Sequence, residues 1–368
     1  MKMITAAILP LLISTAAANI KTVDNVLTNG SVIAEWESSN SSYLDGPKLS
    51  GTANETSYDW WYFDVVSAST NASVVVVFYN AGPDGFVNTY VGGPLSISLS
   101  GTFPNGTQYN FEVPATSAVI ETSSNGISLD FKDAGFSFVG SKLTESEVTY
   151  VLHIDSPEIG VTGTITLLSL AHAHYPGGSN KPGVSEVMIP HVGWSNAVPD
   201  ATAIVSLSFS GDNSSLSISD GIGYHDKNWG DQPFVESTEQ WYWGHAHLGP
   251  YSIVWFDALS PDSQEYVSGY VAENGKVLEA SSVSKAVVVR PWGANSTYPP
   301  TESTGPTEGL EIEFNLKDGT TLLANVTTGV TLVEVTGYIR NIGTVEGGLR
   351  GEESYTGTAL FEQFAFIA

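Results

Sequence analysis

Short strand-like runs separated by turn residues recur along nearly the whole chain, and they restrict its fold class more than any other feature. Runs such as "SVVVVFY", "TGTITLLSL" and "AIVSLSFSG" are apolar or alternate between apolar and polar residues, and Gly, Pro, Asn and Asp separate them. No amphipathic helix of three turns accompanies them. The 37 glycines and 18 prolines suit many tight connections. The pattern predicts an all-β protein with little helix, built as antiparallel β-barrels or β-sandwiches.

An internal similarity predicts two domains. The segments "YDWWYFDVVSAS" and "QWYWGHAHLGPYSIVWFDALS" are both strand-like and dense in aromatic residues, and "WYFDVVS" aligns loosely with "VWFDALS". Between them, the polar stretch "SGDNSSLS" is typical of a connection. We therefore expect an N-terminal domain at residues 19–212 and a C-terminal domain at residues 213–368.

The first 18 residues have the pattern of a signal peptide. Lys2 supplies the positive start, an apolar run extends from Ile4 to Ile13, and small residues end at Ala18. We expect cleavage after Ala18. No later run of about 18 or more apolar residues suggests a membrane-spanning helix. The sequence thus predicts a protein of the secretory pathway, outside the cell or in a vesicle lumen, without membrane insertion.

Eight Asn-X-Ser/Thr sequons agree with that route, because N-linked glycans are added to such triplets in the secretory pathway. The predicted glycosylation sites are Asn29, Asn40, Asn54, Asn71, Asn105, Asn213, Asn295 and Asn325.

Charge and cysteine content exclude several classes of function. The formal net charge is −26, and such a field repels nucleic-acid phosphates and anionic membrane surfaces. A neutral or locally recognised small molecule is the expected partner. The chain contains no cysteine, which excludes thiol catalysis and thiolate metal sites. The G-x-S-x-G elbow of α/β-hydrolases is also missing.

The octet "GYHDKNWG", residues 223–230, is the most chemically diverse stretch of the chain. We expect it in a loop or at a strand end. There His225, Asp226, Asn228 and Trp229 could form a hydrogen-bonded cluster, with the indole against an apolar wall. Such a cluster could support the fold or contact a substrate.

The strand "QWYWGHAHL" is more informative about a binding site. The two-residue period of a strand places Trp241, Trp243, His245 and His247 on one face. A barrel interior lined in this way suits a large aromatic or polyene ligand. The same face could instead be packed core, with each histidine bound to a polar partner.

His-Ala-His occurs twice, at residues 172–174 and 245–247. Two such imidazoles on a strand point the same way and could bind zinc or iron if His191, His225 or a carboxylate supplied a third ligand. Neither pair is followed by the spaced residue that completes a metal motif. A His-ligated metal enzyme is therefore an alternative, and no metal is expected.

Only three arginines are present, and Arg340 lies in the strand-like run "GYIRNIG". An arginine in an apolar strand needs an internal carboxylate or a bound oxygen ligand. Arg340 is thus a candidate for either role.

Several motifs of the chain resemble those of a known family. "DWWYFD", "GYHDKNWG" and the "WYWG" that follows are similar to the paired signatures of lipocalin-like proteins related to carotenoid hydratases of the hydroxyneurosporene synthase type. A fungal branch of that group comprises Diels–Alderases of secondary metabolism. "GTALFEQFAF" resembles the last barrel strand of the family, so the likeness covers most of the chain. It implies two lipocalin-like domains with the ligand site between or within them.

Within this branch, the chain most resembles the hetero-Diels–Alderases that join a tropolone quinone methide to humulene in tropolonic sesquiterpenoid pathways. Lys227 stands where bacterial relatives often carry a second histidine, which argues against hydratase chemistry that needs that imidazole.

The resemblance and the residues together predict a cofactor-independent pericyclase without hydrolytic or redox chemistry. A cycloaddition needs two apolar partners held in a reactive pose and a hydrogen-bond donor for the heterodiene oxygen. The predicted donors are His245, His247 and Arg340. The predicted walls and rim of the pocket are Trp61, Tyr62, Tyr224, His225, Asn228, Trp229, Trp241 and Trp243. A non-catalytic carrier of apolar metabolites and a carbohydrate-binding module are the alternatives outside the metal enzymes.

Overall fold

The computed structural model describes residues 18–39, 44–86, 89–144 and 147–366. Nearly all of the predicted signal peptide and the sequon at Asn40 lie outside the described residues. Asn54 is half-buried, and the other six predicted glycosylation sites are exposed. In the described part of the chain, no helix has the length and apolar character that a membrane crossing requires.

Fifteen of the described strands form a first antiparallel sheet. They are β1 (Asn19–Asp24), β2 (Tyr58–Ser67), β3 (Ser73–Ala81), β4 (Leu95–Thr102), β5 (Gln108–Pro114), β6 (Ser117–Ser123), β7 (Gly126–Lys132), β8 (Phe136–Ser141), β9 (Thr149–Ser156), β10 (Val161–Ser169), β11 (His174–Tyr175), β12 (Gly178–Ser179), β13 (Val187–Ile189), β14 (Val192–Phe209) and β15 (Ser214–Gly230).

A single helical turn, α1 (Phe234–Ser237), leads to a second antiparallel sheet of nine described strands. They are β16 (Gln240–Leu248), β17 (Tyr251–Leu259), β18 (Glu265–Glu273), β19 (Lys276–Ser281), β20 (Val287–Trp292), β21 (Gly309–Asn315), β22 (Thr321–Val335), β23 (Tyr338–Leu349) and β24 (Tyr355–Ala365). The predicted all-β architecture of barrel-like or sandwich-like antiparallel sheets with little helix is confirmed.

Among the described residues, three large hydrophobic cores follow from the two faces of each sheet, and a smaller one packs around Trp229. One core fills the curl of the first sheet, a second fills the curl of the second sheet, and a third lies between the sheets. Because both faces of the central strands are buried, these strands are apolar on both sides rather than alternating. Strand β2, "YDWWYFDVVS", is buried along its whole length.

The chain passes from the first sheet to the second between Gly230 and Gln240. The predicted domain boundary at 212/213 instead falls in the turn between β14 and β15, which pair along most of their length. A polar hairpin turn has the same composition as a linker, and this explains why the sequence pattern indicated a boundary there. The division into two domains stays a prediction.

Candidate active site between the two sheets

The octet at 223–230 lies at a strand end, which is one of the two positions that we expected, and not in a loop. It is the end of β15 and pairs with β14 on one side and with β2 on the other. Strand alternation sends Tyr224, Asp226 and Asn228 towards the second sheet. Tyr224 belongs to the core between the sheets, and Asp226 and Asn228 line a cavity there. The amide of Asn228 donates a hydrogen bond to the backbone oxygen of Gly193 (3.2 Å).

The alternate residues of the octet face the interior of the first sheet, away from that cavity. Nδ1 and Nε2 of His225 lie 2.9 Å from the Tyr62 backbone oxygen and 2.9 Å from Oδ2 of Asp45, respectively. The ring stacks on Phe63 at 3.7 Å between centroids. Both nitrogens are thus occupied, and His225 supports the first sheet rather than the predicted rim.

Lys227 and Trp229 also face away from the cavity. Lys227 forms a buried ion pair with Asp59, and its ammonium lies 3.8 Å from the ring centroid of Trp61. The indole of Trp229 donates a hydrogen bond to the backbone oxygen of Glu35 (2.6 Å). Neither Trp61 nor Trp229 lines the cavity, contrary to expectation, because both occupy positions that strand alternation turns towards the first sheet.

The cavity between the sheets has a volume of about 580 Å³. On one side it is lined by a row of residues paired across neighbouring strands of the first sheet. From β15 to β5, the row is Asp226, Tyr62, Val77, Ser98 and Glu112.

A second row lines the opposite wall, across β23, β24, β16 and β17. The row is Arg340, Glu362, Trp243 and Phe256. The first row therefore has an acid at each end, and the second row runs from the Arg340 and Glu362 pair to two aromatic rings.

Aromatic side chains form a large part of the remaining walls. Trp60 lies 4.5 Å from Phe86, and Trp241 lies 4.5 Å from Phe364, between ring centroids. All four line the cavity. The predicted wall residues Tyr62, Trp241 and Trp243 are therefore at the cavity, and Trp60 takes the place that we expected for Trp61.

Asp226 is the unusual ionisable group of this cavity. Its Oδ2 accepts hydrogen bonds from the indole of Trp194 (2.8 Å) and from the hydroxyl of Tyr224 (2.9 Å). Within the described residues, no hydrogen bond reaches Oδ1. Burial raises the pKa of Asp226 to about 8, against the two hydrogen bonds that lower it. Asp226 is thus a mainly neutral carboxylic acid at pH 7, with one oxygen left for a ligand.

Arg340 is buried opposite and is held by Glu362. Its Nε donates a hydrogen bond to Oε1 of Glu362 (2.8 Å), which also accepts one from the hydroxyl of Tyr338 (2.7 Å). The guanidinium carbon lies 5.3 Å from the ring centroid of Tyr62. No residue in the described ranges accepts a hydrogen bond from either Nη group. These two donors can therefore bind an oxygen of a ligand.

His245 lies behind the cavity wall. Its Nε2 lies 3.0 Å from both carboxylate oxygens of Asp64, and its ring stacks on Tyr224 at 4.4 Å between centroids. The imidazole is buried and does not line the cavity. The face that we expected in a barrel interior instead lies between the two sheets. The cavity ends at Trp243, one position along this face from His245.

His247 lies farther along the same face. Its Nδ1 bonds to Oδ2 of Asp200 (2.7 Å), which also accepts a hydrogen bond from the hydroxyl of Ser252 (2.6 Å). The side chain is 39% exposed and borders a separate open groove rather than the cavity. The hydrogen bond to Asp200 raises the pKa of His247.

The His-Ala-His pairs do not converge on a common point. His245 and His247 bind different carboxylates, and His174 bonds to Asn196 (2.9 Å) while it stacks on Tyr270. Burial lowers the pKa of His174 to about 4. Among the described residues, no group of three or more His, Asp and Glu side chains is arranged to hold a metal ion.

Sequence reasoning missed several residues at the cavity. Asp226 was recognised only as part of a polar cluster, and Trp60, Glu362 and Tyr338 were not singled out. Treating the octet as a strand would have separated Asp226 from His225 by alternation. No local signal indicates the pairing of Arg340 with Glu362, because it joins two strands by register.

Comparisons with known proteins agree with this architecture. A family model described as Diels-Alderase-like matches residues 16–292. The quinolone epoxide rearrangement protein PenF of Penicillium thymicola is 42% identical over 88% of this chain and 89% of its own length. The quinolone epoxide rearrangement protein AsqO of Emericella nidulans is 40% identical over 92% of each chain. The Diels-Alderase UcsH of an Acremonium species is 24% identical over 66% of this chain and 59% of its own.

A solved structure has the same fold. The crystal structure of CghA with Sch210972 superposes with a TM-score of 0.76, at 17% identity over 95% of this chain and 99% of that one. The relatives are named for cycloaddition or rearrangement. The chain is therefore similar to enzymes of pericyclase or isomerase type that act on small molecules. The chain belongs to the Diels-Alderase-like family.

Proposed function

We propose that the protein is a cofactor-independent isomerase that rearranges the epoxide of a quinolone-type substrate by acid catalysis. The observation that carries the proposal is Asp226, a carboxylic acid that burial keeps protonated at a cavity with aromatic walls. PenF and AsqO are both named for quinolone epoxide rearrangement and are similar over most of the chain. The acid and the relatives' reaction therefore point to the same chemistry.

The proposed reaction is balanced without any co-reactant. Oδ1 of Asp226 donates its proton to the epoxide oxygen, and one carbon–oxygen bond breaks to leave positive charge on carbon. A neighbouring group then migrates to that carbon with its electron pair. The new hydroxyl becomes a carbonyl as its proton returns to the carboxylate of Asp226. A positioned general acid typically contributes about 10²–10⁴-fold in rate.

The aromatic walls suit the charge that develops. Trp243, Trp241 and Phe256 are buried beside one another at the cavity. The face of such a ring can stabilise a desolvated cation by about 2 kcal/mol.

Arg340 supplies the second point of attachment. Glu362 binds its Nε, and no described residue accepts a hydrogen bond from its two Nη groups, so these are left to bind the carbonyl oxygen of the substrate. Tyr62 lies between the two anchors, since it pairs with Asp226 across β15 and β2 and lies under Arg340. A planar ring held over Tyr62 would reach both donors at once.

Hetero-Diels–Alder addition of a tropolone quinone methide to humulene is the second candidate, and Diels-Alderases are among the relatives. In that reaction, Asp226 would protonate the leaving hydroxyl of a hydroxymethyl precursor, and Arg340 would bind the heterodiene oxygen. His245 and His247, which we expected as donors, are too far along the strand face to line the cavity.

Turnover of a synthetic quinolone epoxide by the purified protein tests the proposal, with product analysis by chiral chromatography and mass spectrometry. We expect Asp226→Asn to lower kcat by at least about 10²-fold because the amide cannot donate a proton in exchange. Asp257→Asn is the matched control, since Asp257 is also buried with a pKa raised by burial to about 6 but faces the interior of the second sheet. Full activity of Asp226→Asn would refute the proposal.

The same assay separates the alternatives. Product from the tropolone and humulene pair, with none from the epoxide, would select the cycloaddition. Binding of either ligand without any change in product relative to buffer would identify a carrier.

We also propose that the protein enters the secretory pathway and carries N-linked glycans, as the first 18 residues and the sequons predict. Digestion of the native protein with an endoglycosidase should lower its apparent mass, and an unchanged mass would contradict this.

A further inference from the structure

A buried pair of side chains lies directly behind the acid of the cavity. Asp64 on β2 and His245 on β16 join the two sheets, with Nε2 of His245 at 3.0 Å from each oxygen of Asp64. Both residues are at most 1% exposed. Because Nε2 faces two carboxylate oxygens, it carries the proton of this contact and donates it to Asp64.

Tyr224 connects this pair to Asp226. The ring of His245 stacks on that of Tyr224 at 4.4 Å with an angle of 14° between the planes. Trp243 packs on the edge of the same Tyr224 ring at 5.2 Å. The phenol is thus held in one plane, and its hydroxyl donates to Oδ2 of Asp226 at 2.9 Å.

This arrangement distinguishes the two oxygens of Asp226. Oδ2 accepts from both Tyr224 and Trp194, so a proton on the carboxyl group is directed to Oδ1. That is the oxygen that has no hydrogen-bond partner among the described residues. Tyr224 and Trp194 therefore determine which oxygen can present a proton to a ligand.

The groups around Asp226 shift its pKa in opposite directions. After burial, the negative charges of Glu362 and Asp64 raise its pKa, whereas the hydrogen bonds from Trp194 and Tyr224 lower it. Asp64 on β2 pairs with Tyr224 on β15, so it is the diagonal neighbour of Asp226. Diagonal neighbours in an antiparallel sheet are about 7–8 Å apart. The titratable and charged groups around Asp226 are Tyr224 on β15, Asp64 and Tyr62 on β2, His245 on β16, Glu362 on β24 and Arg340 on β23.

We propose that Asp64, His245 and Tyr224 are positioning residues that act on the acid Asp226 without touching the substrate. His245 holds the ring of Tyr224, Tyr224 orients the carboxyl group so that Oδ1 carries the proton, and the charge of Asp64 keeps that proton bound. This inference rests on the proposed role of Asp226.

The indole of Trp194 gives a readout that is independent of activity, because it donates directly to Oδ2 of Asp226. The chain has nine tryptophans, so a protein labelled with ¹⁵N-tryptophan gives a simple indole spectrum. Comparison with Trp194→Phe assigns the signal. In the wild type, the midpoint of its pH titration should lie at about 8, the pKa of Asp226.

The three substitutions should shift this midpoint in different directions. Asp64→Asn removes a like charge and should lower the midpoint by about half a pH unit or more. Tyr224→Phe removes a hydrogen bond that stabilises the carboxylate and should raise it by a similar amount. His245→Gln can still donate to Asp64 but offers no ring to Tyr224, so it should shift the midpoint in the same direction as Tyr224→Phe.

Asp257→Asn should leave the midpoint unchanged and controls for the loss of a buried carboxylate elsewhere. Unchanged midpoints in Asp64→Asn, Tyr224→Phe and His245→Gln, in proteins that melt cooperatively, would overturn the inference even if Asp226→Asn is inactive. An active Asp226→Asn would instead overturn the proposed function, while the titration could still show the coupling.

Discussion

Trp60 and Trp61 are adjacent on β2 but lie in different cores, Trp60 at the cavity between the sheets and Trp61 in the interior of the first sheet. The indole of Trp61 donates to the backbone oxygen of Asp45 (2.8 Å) and lies under the ammonium of Lys227. Two neighbouring residues of one type therefore have separate roles.

Alanine substitutions should separate these roles. Trp61→Ala should lower the free energy of unfolding by about 3–5 kcal/mol, as for other large core residues. Trp60→Ala should lower kcat/KM by roughly tenfold or more because the substrate loses a wall that orients it. Denaturant titration and steady-state kinetics measure the two effects. Equal losses of activity per folded molecule in both variants would contradict this assignment.

The pair of Arg340 and Glu362 predicts a stability effect that can be reversed without restoring activity. Arg340→Met should cost about 3–5 kcal/mol because it leaves Glu362 buried without its cation. Adding Glu362→Gln removes that charge and should recover most of the loss, measured by denaturant unfolding. Turnover should stay low in both variants. Wild-type turnover in the stable double variant would show that Arg340 does not bind the substrate.

The raised pKa of Asp226 predicts how rate depends on pH. Since the protonated form is the acid, kcat/KM should be constant below pH 8 and fall tenfold per unit above it. Asp226→Asn should lack this alkaline limb in whatever activity remains. If kcat/KM of Asp226→Asn fell at the same pH, the fall would have to be assigned to another group.

The same pKa predicts a change in stability with pH. Asp226 has a pKa of about 8 when folded and near 4 when unfolded, so between these values the folded state binds more protons. The wild type should therefore lose stability relative to Asp226→Asn as the pH rises from about 4 to 8. Thermal melts of the two proteins across this range measure the difference, and parallel curves would contradict the raised pKa.

His247 offers a test outside the cavity. Because it lies at a separate groove, His247→Gln should change turnover by less than about twofold, within ordinary surface effects. Its raised pKa stabilises the fold fully below pH 6.5, and this contribution disappears as the pH rises through the folded value. The melting temperatures of wild type and variant should converge above that pH. A large loss of turnover would restore the catalytic role that the sequence predicted for His247.

Much of the fold could be predicted because strand alternation and turn residues are local properties. The same rule correctly grouped Trp241 and Trp243 on one face, and both line the cavity. That face lies between the two sheets, however, and not inside a barrel as we expected. It was not applied to the octet, which we expected only in a loop or at a strand end. A strand buried on both faces has no apolar-polar alternation to reveal it, and its polar residues include both Asp226 at the cavity and His225 away from it.

The remaining errors have long-range causes. The extent of the cavity along β16 depends on what faces it from the first sheet, so the sequence of β16 could not exclude His245. The pairing of Arg340 with Glu362 depends on strand register, which no single strand encodes. The turn after β14 is polar because it is exposed, and composition could not distinguish it from a domain boundary.

The alternation of the octet limits how this enzyme can be altered. Even-numbered positions of 224–229 face the space between the sheets, and odd-numbered positions contact the side chains and loops of the first sheet. Inserting or deleting one residue would exchange the two sets. An ammonium group would then take the place of the acid at the cavity, and a carboxyl group would be buried on the opposite face of the strand. Substrate scope can therefore be engineered by substitutions at alternate positions of the octet. A change in the length of this segment would instead abolish both activity and folding.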